Sequence, residues 1–129
     1  MTFAIGFCFG GKCVLDLARS GADTRGVVSC HGLYDAPTDT GARPITAAIL
    51  VLHGWDDPLA PPSRLVELGR ELTHRGADWQ LHAYGHTGHS FTNPKAQAPD
   101  QGLAYQPASD ARAWQAMRGF FAELFLEAA

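Results

Sequence analysis

A chain of 129 residues, 46% of them hydrophobic, is long enough to bury a core of its own and reads as a single domain over residues 1–129. Its 10 basic and 13 acidic residues are spread along the chain for a net charge of −3, which leaves no basic stripe for nucleic acid and no polybasic membrane signal, so the expected partner is a small molecule. Cys8, Cys13 and Cys30 are an odd number of cysteines with no charged n-region leading into an apolar h-region, which fits a reducing cytoplasm, and no apolar run approaches the roughly 20 residues of a spanning helix.

In chain order, Phe3 to Phe7 is a short apolar run, the pattern of a strand buried on both faces. It runs into Ile5-Gly6-Phe7-Cys8-Phe9-Gly10-Gly11, which reads as a nucleophile elbow of the form G-x-S-x-G with Cys8 in the serine's place. In such an elbow a strained strand-to-helix turn lifts the nucleophile above the sheet. The tight turn calls for glycine two residues either side, where a Cβ would collide, and Gly6 and Gly10 stand there. The next helix, Gly10 to Ser20, carries Val14, Leu17 and Ala18 at helical spacing, stops at Gly21, and turns its electropositive N-terminus toward the sulfur. Gly26 to Gly32 is a second strand, Leu33 to Pro44 a loop, and Ala47 to His53 a third strand whose unbroken apolar run suits a central parallel position.

Gly54 to Ala60 forms the following loop, and Pro61-Pro62-Ser63 opens a helix with Leu65, Leu68 and Leu72 as its apolar stripe. Asp78 to Tyr84 alternates like a strand nearer the sheet edge. Thr92 to Ala108 holds three prolines and no periodicity, a long loop of the kind that is often functional. Ser109 is expected to cap a last helix, with Asp110 in its first turn and Trp114, Met117, Phe121, Leu124 and Phe125 on one core-facing side. Alternation of strands and helices makes the class α/β with a parallel sheet.

Ligands of such sheets collect beyond the strands' carboxyl ends. Three places qualify: Cys8, the pair Asp56-Asp57, and the segment from Gly85 to Phe91 with His86 and His89. The order nucleophile, acid, base is that of the α/β-hydrolases. A cysteine nucleophile needs a base, imidazole with an ordinary pKa of about 6.5 serves at neutral pH, and an acid fixes the imidazole's tautomer. Each piece has a plainer reading: Cys8 as an inert buried thiol in a Gly-rich turn, and the aspartates as turn residues bonding their own backbone. His82, His86 and His89 offer no recognised metal spacing, so no metal is expected. His31 and His53 read as polar residues at strand ends, and Cys13 and Cys30 as small core residues.

The combination Gly6-Phe7-Cys8-Phe9-Gly10-Gly11, then His53-Gly54-Trp55-Asp56-Asp57-Pro58 leading into Pro-Pro-Ser-Arg, then Gly88-His89-Ser90-Phe91, resembles the dienelactone hydrolase family over nearly the whole chain. The resemblance implies a partial α/β-hydrolase fold of about four parallel strands with flanking helices, lacking the N-terminal part of the usual fold. It also implies hydrolysis of an ester or lactone through a thioester, without a cofactor. By motif position the nucleophile falls on Cys8, the acid on Asp56 and the base on His89, with the backbone N–H of Phe9 as an oxyanion donor and Phe91 and Asn93 toward the substrate. Dienelactone hydrolases proper carry an arginine where Asn93 stands, so a substrate other than dienelactone is expected. The strand matching Phe3 to Phe7 is central in the family, so here its free edge is expected to pair in a homodimer. A non-catalytic remnant or interaction module, or a thiol redox protein acting through Cys8, remain as alternatives.

Overall fold

The computed structural model describes residues 1–38 and 43–128, so the part of the predicted 33–44 loop at 39–42 lies outside the described residues. Strands β1 (Phe3–Phe7), β2 (Gly26–Cys30), β3 (Ala48–Gly54) and β4 (Trp79–Tyr84) form one sheet in the order β1-β2-β3-β4, every neighbouring pair parallel. Helices α1 (Phe9–Arg19), α2 (Pro62–His74) and α3 (Pro107–Ala128) flank it. Between β4 and α3, the long predicted loop contains a two-residue antiparallel pair, β5 (Gln97–Ala98) with β6 (Leu103–Ala104), joined by a 3-10 turn at Pro99–Gln101.

The unbroken apolar runs of β2 and β3 follow from their place in the sheet, since every residue of both strands is buried. One face sends Val27, Ile49 and Val51 against Leu15 and Ala18 of α1 and Leu65, Leu68 and Leu72 of α2. The other sends Val28, Leu50 and Leu52 against α3. Helices therefore cover both faces, as parallel strands require.

Three expectations are corrected. β1 is not buried on both faces: Ile5 and Phe7 are exposed, because β1 is an edge strand of this sheet. α3 begins at Pro107, two residues before Ser109, which does not cap it but is buried and shares a 2.7 Å hydrogen bond with the Thr87 hydroxyl. Its buried stripe is Ala113, Met117, Phe120 and Leu124, at spacings of four, three and four. Trp114 and Phe125 are exposed, leaning on Phe7 and Phe3 at ring-centroid distances of 6.5 and 5.1 Å.

Buried charge ties the two helices of one face together. The Arg19 guanidinium, on α1, donates to Glu71 of α2 at 3.0 and 2.8 Å, to Asp16 at 2.9 Å and to the Tyr34 carbonyl at 2.7 Å. Arg75 donates to the same Glu71 carboxylate at 3.0 Å and to the Arg19 carbonyl at 2.6 Å. Burial opposes the charge on both Arg19 and Glu71, but their mutual bonds outweigh it, so the guanidinium pKa is raised and the carboxyl pKa lowered.

The elbow depends on Gly6, where a Cβ would overlap the backbone carbonyl of Gly10. Gly10, the other glycine the elbow pattern calls for, is not under that constraint, since a Cβ there meets nothing within 4 Å. The second tight glycine is Gly11, whose Cβ would stand 2.8 Å from both the Gly32 Cα and the Ser29 hydroxyl. Gly6→Ala is accordingly expected to lower the yield of folded protein sharply and Gly10→Ala to leave it near wild type, as read by circular dichroism and thermal melting. Equal melting temperatures for the two variants would refute that assignment.

Candidate active site

The sheet register decides what meets at its carboxyl end. Phe7 pairs with Cys30, so the next residues, Cys8 and His31, leave β1 and β2 side by side. Both take positive φ, 55° at Cys8 with ψ at −121° and 35° at His31. Backbone in this region costs about 1–3 kcal/mol per residue and survives where surrounding structure enforces it. Here the Cys8 N–H is held by the Cys30 carbonyl at 3.1 Å, and the His31 N–H by the Leu52 carbonyl at 2.8 Å. The Cys8 Sγ then lies 3.3 Å from His31 Nδ1 and 3.2 Å from the hydroxyl of Ser90, itself at φ 57°. Phe9 opens α1 directly after Cys8, in the first turn, where backbone N–H groups have no partner within the helix.

The loops after β3 and β4 are joined to each other. Trp55 donates its N–H to the Tyr84 carbonyl and Asp56 to the Thr87 carbonyl, each at 2.9 Å. Gly54 lets them approach, since a Cβ there would press on the backbone of Thr87 and Gly88. His89 is gripped from its other side, donating its N–H to the Gly102 carbonyl at 2.8 Å and accepting from the Ala104 N–H at 3.3 Å. The long loop thus sets the histidine's position.

The carboxylate facing His89 is Asp57, not the predicted Asp56. Asp57 Oδ2 is 2.8 Å from His89 Nδ1, both side chains buried, and Asp57 Oδ1 accepts the Leu59 N–H at 2.9 Å. Asp56, next in the tight turn, is exposed and points beside His86 and Gly88. The turn reading and the partner reading therefore both hold for one residue, Asp57. A nitrogen of His89 and one of His31 lie within 4.8 Å of Cys8 Sγ and of each other. The two rings meet edge-on, with centroids 5.5 Å apart.

A cavity of about 400 Å³ opens over this group, its wall including Phe7, Cys8, His31, Thr92, Asn93 and Trp114. Asn93 lies on the wall, and its Oδ1 also accepts the Lys95 N–H at 3.0 Å. Phe91 is not on the wall: it is fully buried, packed against His31 and Tyr84. His82 lies on β4 and His86 is exposed in the loop. Cys13 is exposed on α1 rather than in the core, whereas burial, with Asp110 and Cys8 nearby, pushes the Cys30 thiol up to about 12.

His31, Ser90 and Thr92 had no assigned part in the sequence. Thr92 Oγ1 holds His31 Nε2 at 2.8 Å. The available signal for His31 was its position one residue past a strand, the same that marks Cys8, but only the parallel register shows that the two are adjacent.

Burial lowers the His31 pKa to about 4, with the neighbouring His89 acting in the same direction, and burial likewise lowers that of His53 to about 4, with Asp57 opposing it. His53 is fully buried and its Nδ1 is 2.9 Å from the Tyr34 hydroxyl. The unfolded chain takes up a proton at each histidine near pH 6.5, the folded chain only near 4, so stability falls as pH drops through that window. Each group contributes a slope of at most about 1.4 kcal/mol per pH unit. The melting temperature of the wild type is expected to decline from pH 6.5 to 4.5, and less steeply for His53→Gln. A flat wild-type profile over that range would contradict this.

Four parallel strands with helices on both faces and a strained turn lifting Cys8 above the first strand's carboxyl end define the α/β-hydrolase class. The profile of the dienelactone hydrolase family matches residues 2–125, and the chain belongs to that family. A dienelactone hydrolase-like promiscuous phosphotriesterase from metagenomic libraries is 41% identical, with a TM-score of 0.85 over 95% of this chain and 52% of its own. An uncharacterized protein of Caenorhabditis elegans is 33% identical over 128 residues, 95% of this chain and 79% of that protein. An α/β hydrolase enzyme from a deep-sea metagenome library shares the fold at 20% identity, with a TM-score of 0.68 over 95% of this chain and 54% of its own. The chain spans about half the length of these two solved structures. No helix among the described residues is long and apolar enough to cross a membrane.

Proposed function

We propose that the chain carries the catalytic half of a thiol hydrolase for carboxylic esters or lactones, with Cys8 as nucleophile, His89 as base and Asp57 as the acid that orients it. The observation supporting this is that His89, whose Nδ1 is 2.8 Å from Asp57 Oδ2, also has a ring nitrogen within 4.8 Å of Cys8 Sγ at a strained elbow. In the reaction His89 takes the thiol proton as Sγ attacks the acyl carbon, then returns it to the leaving alkoxide. The thioester is cleared by water activated at the same nitrogen. The carbonyl oxygen gains negative charge in both steps, and the first N–H groups of α1, that of Phe9 foremost, are the donors we assign to it. Asn93 at the cavity wall makes a neutral ester a better substrate than an anionic lactone. A neutral phosphotriester is a second probe, given the activity named for the 41% identical relative.

The test is hydrolysis of p-nitrophenyl acetate by the wild type and by Cys8→Ala, with iodoacetamide labelling followed by mass spectrometry. Turnover is expected to vanish in Cys8→Ala and to fall in step with alkylation of Cys8, while Cys30 stays unlabelled. Equal turnover by the two proteins would refute the assignment.

A further inference from the structure

We propose that Cys8, His31 and His89 form a binding site for a single zinc ion, which caps the nucleophile. Each residue offers one donor atom, a sulfur and two imidazole nitrogens, and the three lie within 4.8 Å of one another. Zinc binds sulfur at about 2.3 Å and imidazole nitrogen at about 2.0–2.1 Å, so a tetrahedral ion holds its donors about 3.3–3.7 Å apart. Cys8 Sγ and His31 Nδ1 are already 3.3 Å apart, and the His89 nitrogen lies within 4.8 Å of both.

The outer contacts are those of metal-bound histidines. Each ring has its far nitrogen fixed by an oxygen, His89 Nδ1 by Asp57 at 2.8 Å and His31 Nε2 by Thr92 at 2.8 Å, which leaves the other nitrogen of each to face Sγ. A thiolate with two imidazoles selects a borderline-soft ion over magnesium or calcium. Positive φ at Cys8 and His31 fixes both donors before any ion arrives. Three protein donors leave a fourth position, open to the cavity that Cys8 and His31 line, for a water molecule. As the sulfur–zinc bond forms, the thiol gives its proton to solvent, and nothing changes oxidation state.

The consequence for turnover rests on the hydrolase reading, because the ion would hold both the sulfur and the nitrogen that reading assigns to catalysis. Binding itself does not. The experiment uses chelator-stripped protein in a Cys13→Ser background, with cobalt(II) as spectroscopic probe and zinc as competitor. Expected are a thiolate-to-cobalt charge-transfer band in the near ultraviolet that saturates at one ion per chain and is displaced by zinc, and protection of Cys8 from iodoacetamide by zinc. His31→Ala and Thr92→Val, checked as folded by circular dichroism, are expected to weaken zinc binding by about 10- to 100-fold or more. Absence of the cobalt band, or unchanged affinity in folded His31→Ala, would overturn the site. Cys8-dependent ester hydrolysis in chelator without a cobalt band would sink the zinc site alone. A cobalt band on loading, together with no Cys8-dependent hydrolysis by the same protein in chelator, would sink the hydrolase reading alone.

Discussion

Asp57→Asn is expected to reduce ester turnover by roughly a thousand- to ten-thousand-fold, and Asp56→Asn by no more than a few-fold. The two aspartates are adjacent in sequence but differ in surroundings: the Asp57 carboxylate is buried against His89 Nδ1, and that of Asp56 is exposed. An amide at position 57 presents its NH₂ or its neutral oxygen to the ring, so it no longer enforces the Nδ1–H tautomer that leaves Nε2 free to accept a proton. Under the proposed mechanism it also removes the charge that would stabilise the imidazolium formed as Cys8 attacks. The comparable change in serine hydrolases lowers kcat by about 10⁴. Asp57 also accepts the Leu59 N–H, so a folding control is needed, and the melting temperature of Asp57→Asn supplies it. Steady-state kinetics of both variants decide the matter. Equal losses would refute the assignment to Asp57, and a larger loss for Asp56→Asn would return the acid's role to Asp56.

Glu71→Ala is expected to destabilise the fold by about 2–3 kcal/mol, which for a domain of this size lowers the melting temperature by about 10 °C. Glu71 is the shared acceptor of two guanidinium groups whose side chains are 1% and 3% exposed, those of Arg19 and Arg75. Removing it leaves two buried cations short of a counter-charge, and breaking such a pair is far more damaging than the pair is favourable. The loss stays at or below the lower end for buried pairs because Glu71 itself is 23% exposed and Asp16 still faces Arg19. Glu71→Gln, which keeps acceptor geometry without charge, should fall between. Since the folded Glu71 carboxyl pKa is lowered, the stability it supplies is present above its unfolded pKa and is lost as pH falls through the folded one. Chemical denaturation at neutral pH that shows less than 0.5 kcal/mol between wild type and Glu71→Ala would exclude this account, on the scale ordinarily seen for surface substitutions.

Features that follow from spacing along one element are legible in the residues alone. The run Ala48 to Leu52 can only be a doubly covered strand, the elbow glycine at position 6 follows from the overlap of its own turn, and the leucines of α2 declare their face at helical period. The placement of Cys8 and His89 after strands needed nothing more than the alternation of strand and helix. Tertiary structure decided the rest, because those questions concern neighbours distant in the chain. Which face of α3 is buried depended on β1 being an edge strand, a fact about pairing that leaves Trp114 and Phe125 exposed. The placement of His31 beside Cys8 depended on the Phe7–Cys30 register. The choice between Asp56 and Asp57 depended on a tight turn in which successive side chains diverge, and on a second loop, itself clamped by Gly102 and Ala104, that delivers His89 to only one of them. Identical chemistry at adjacent positions carries no periodic signal. Only the packing of one loop against another separates the buried carboxylate from the exposed one.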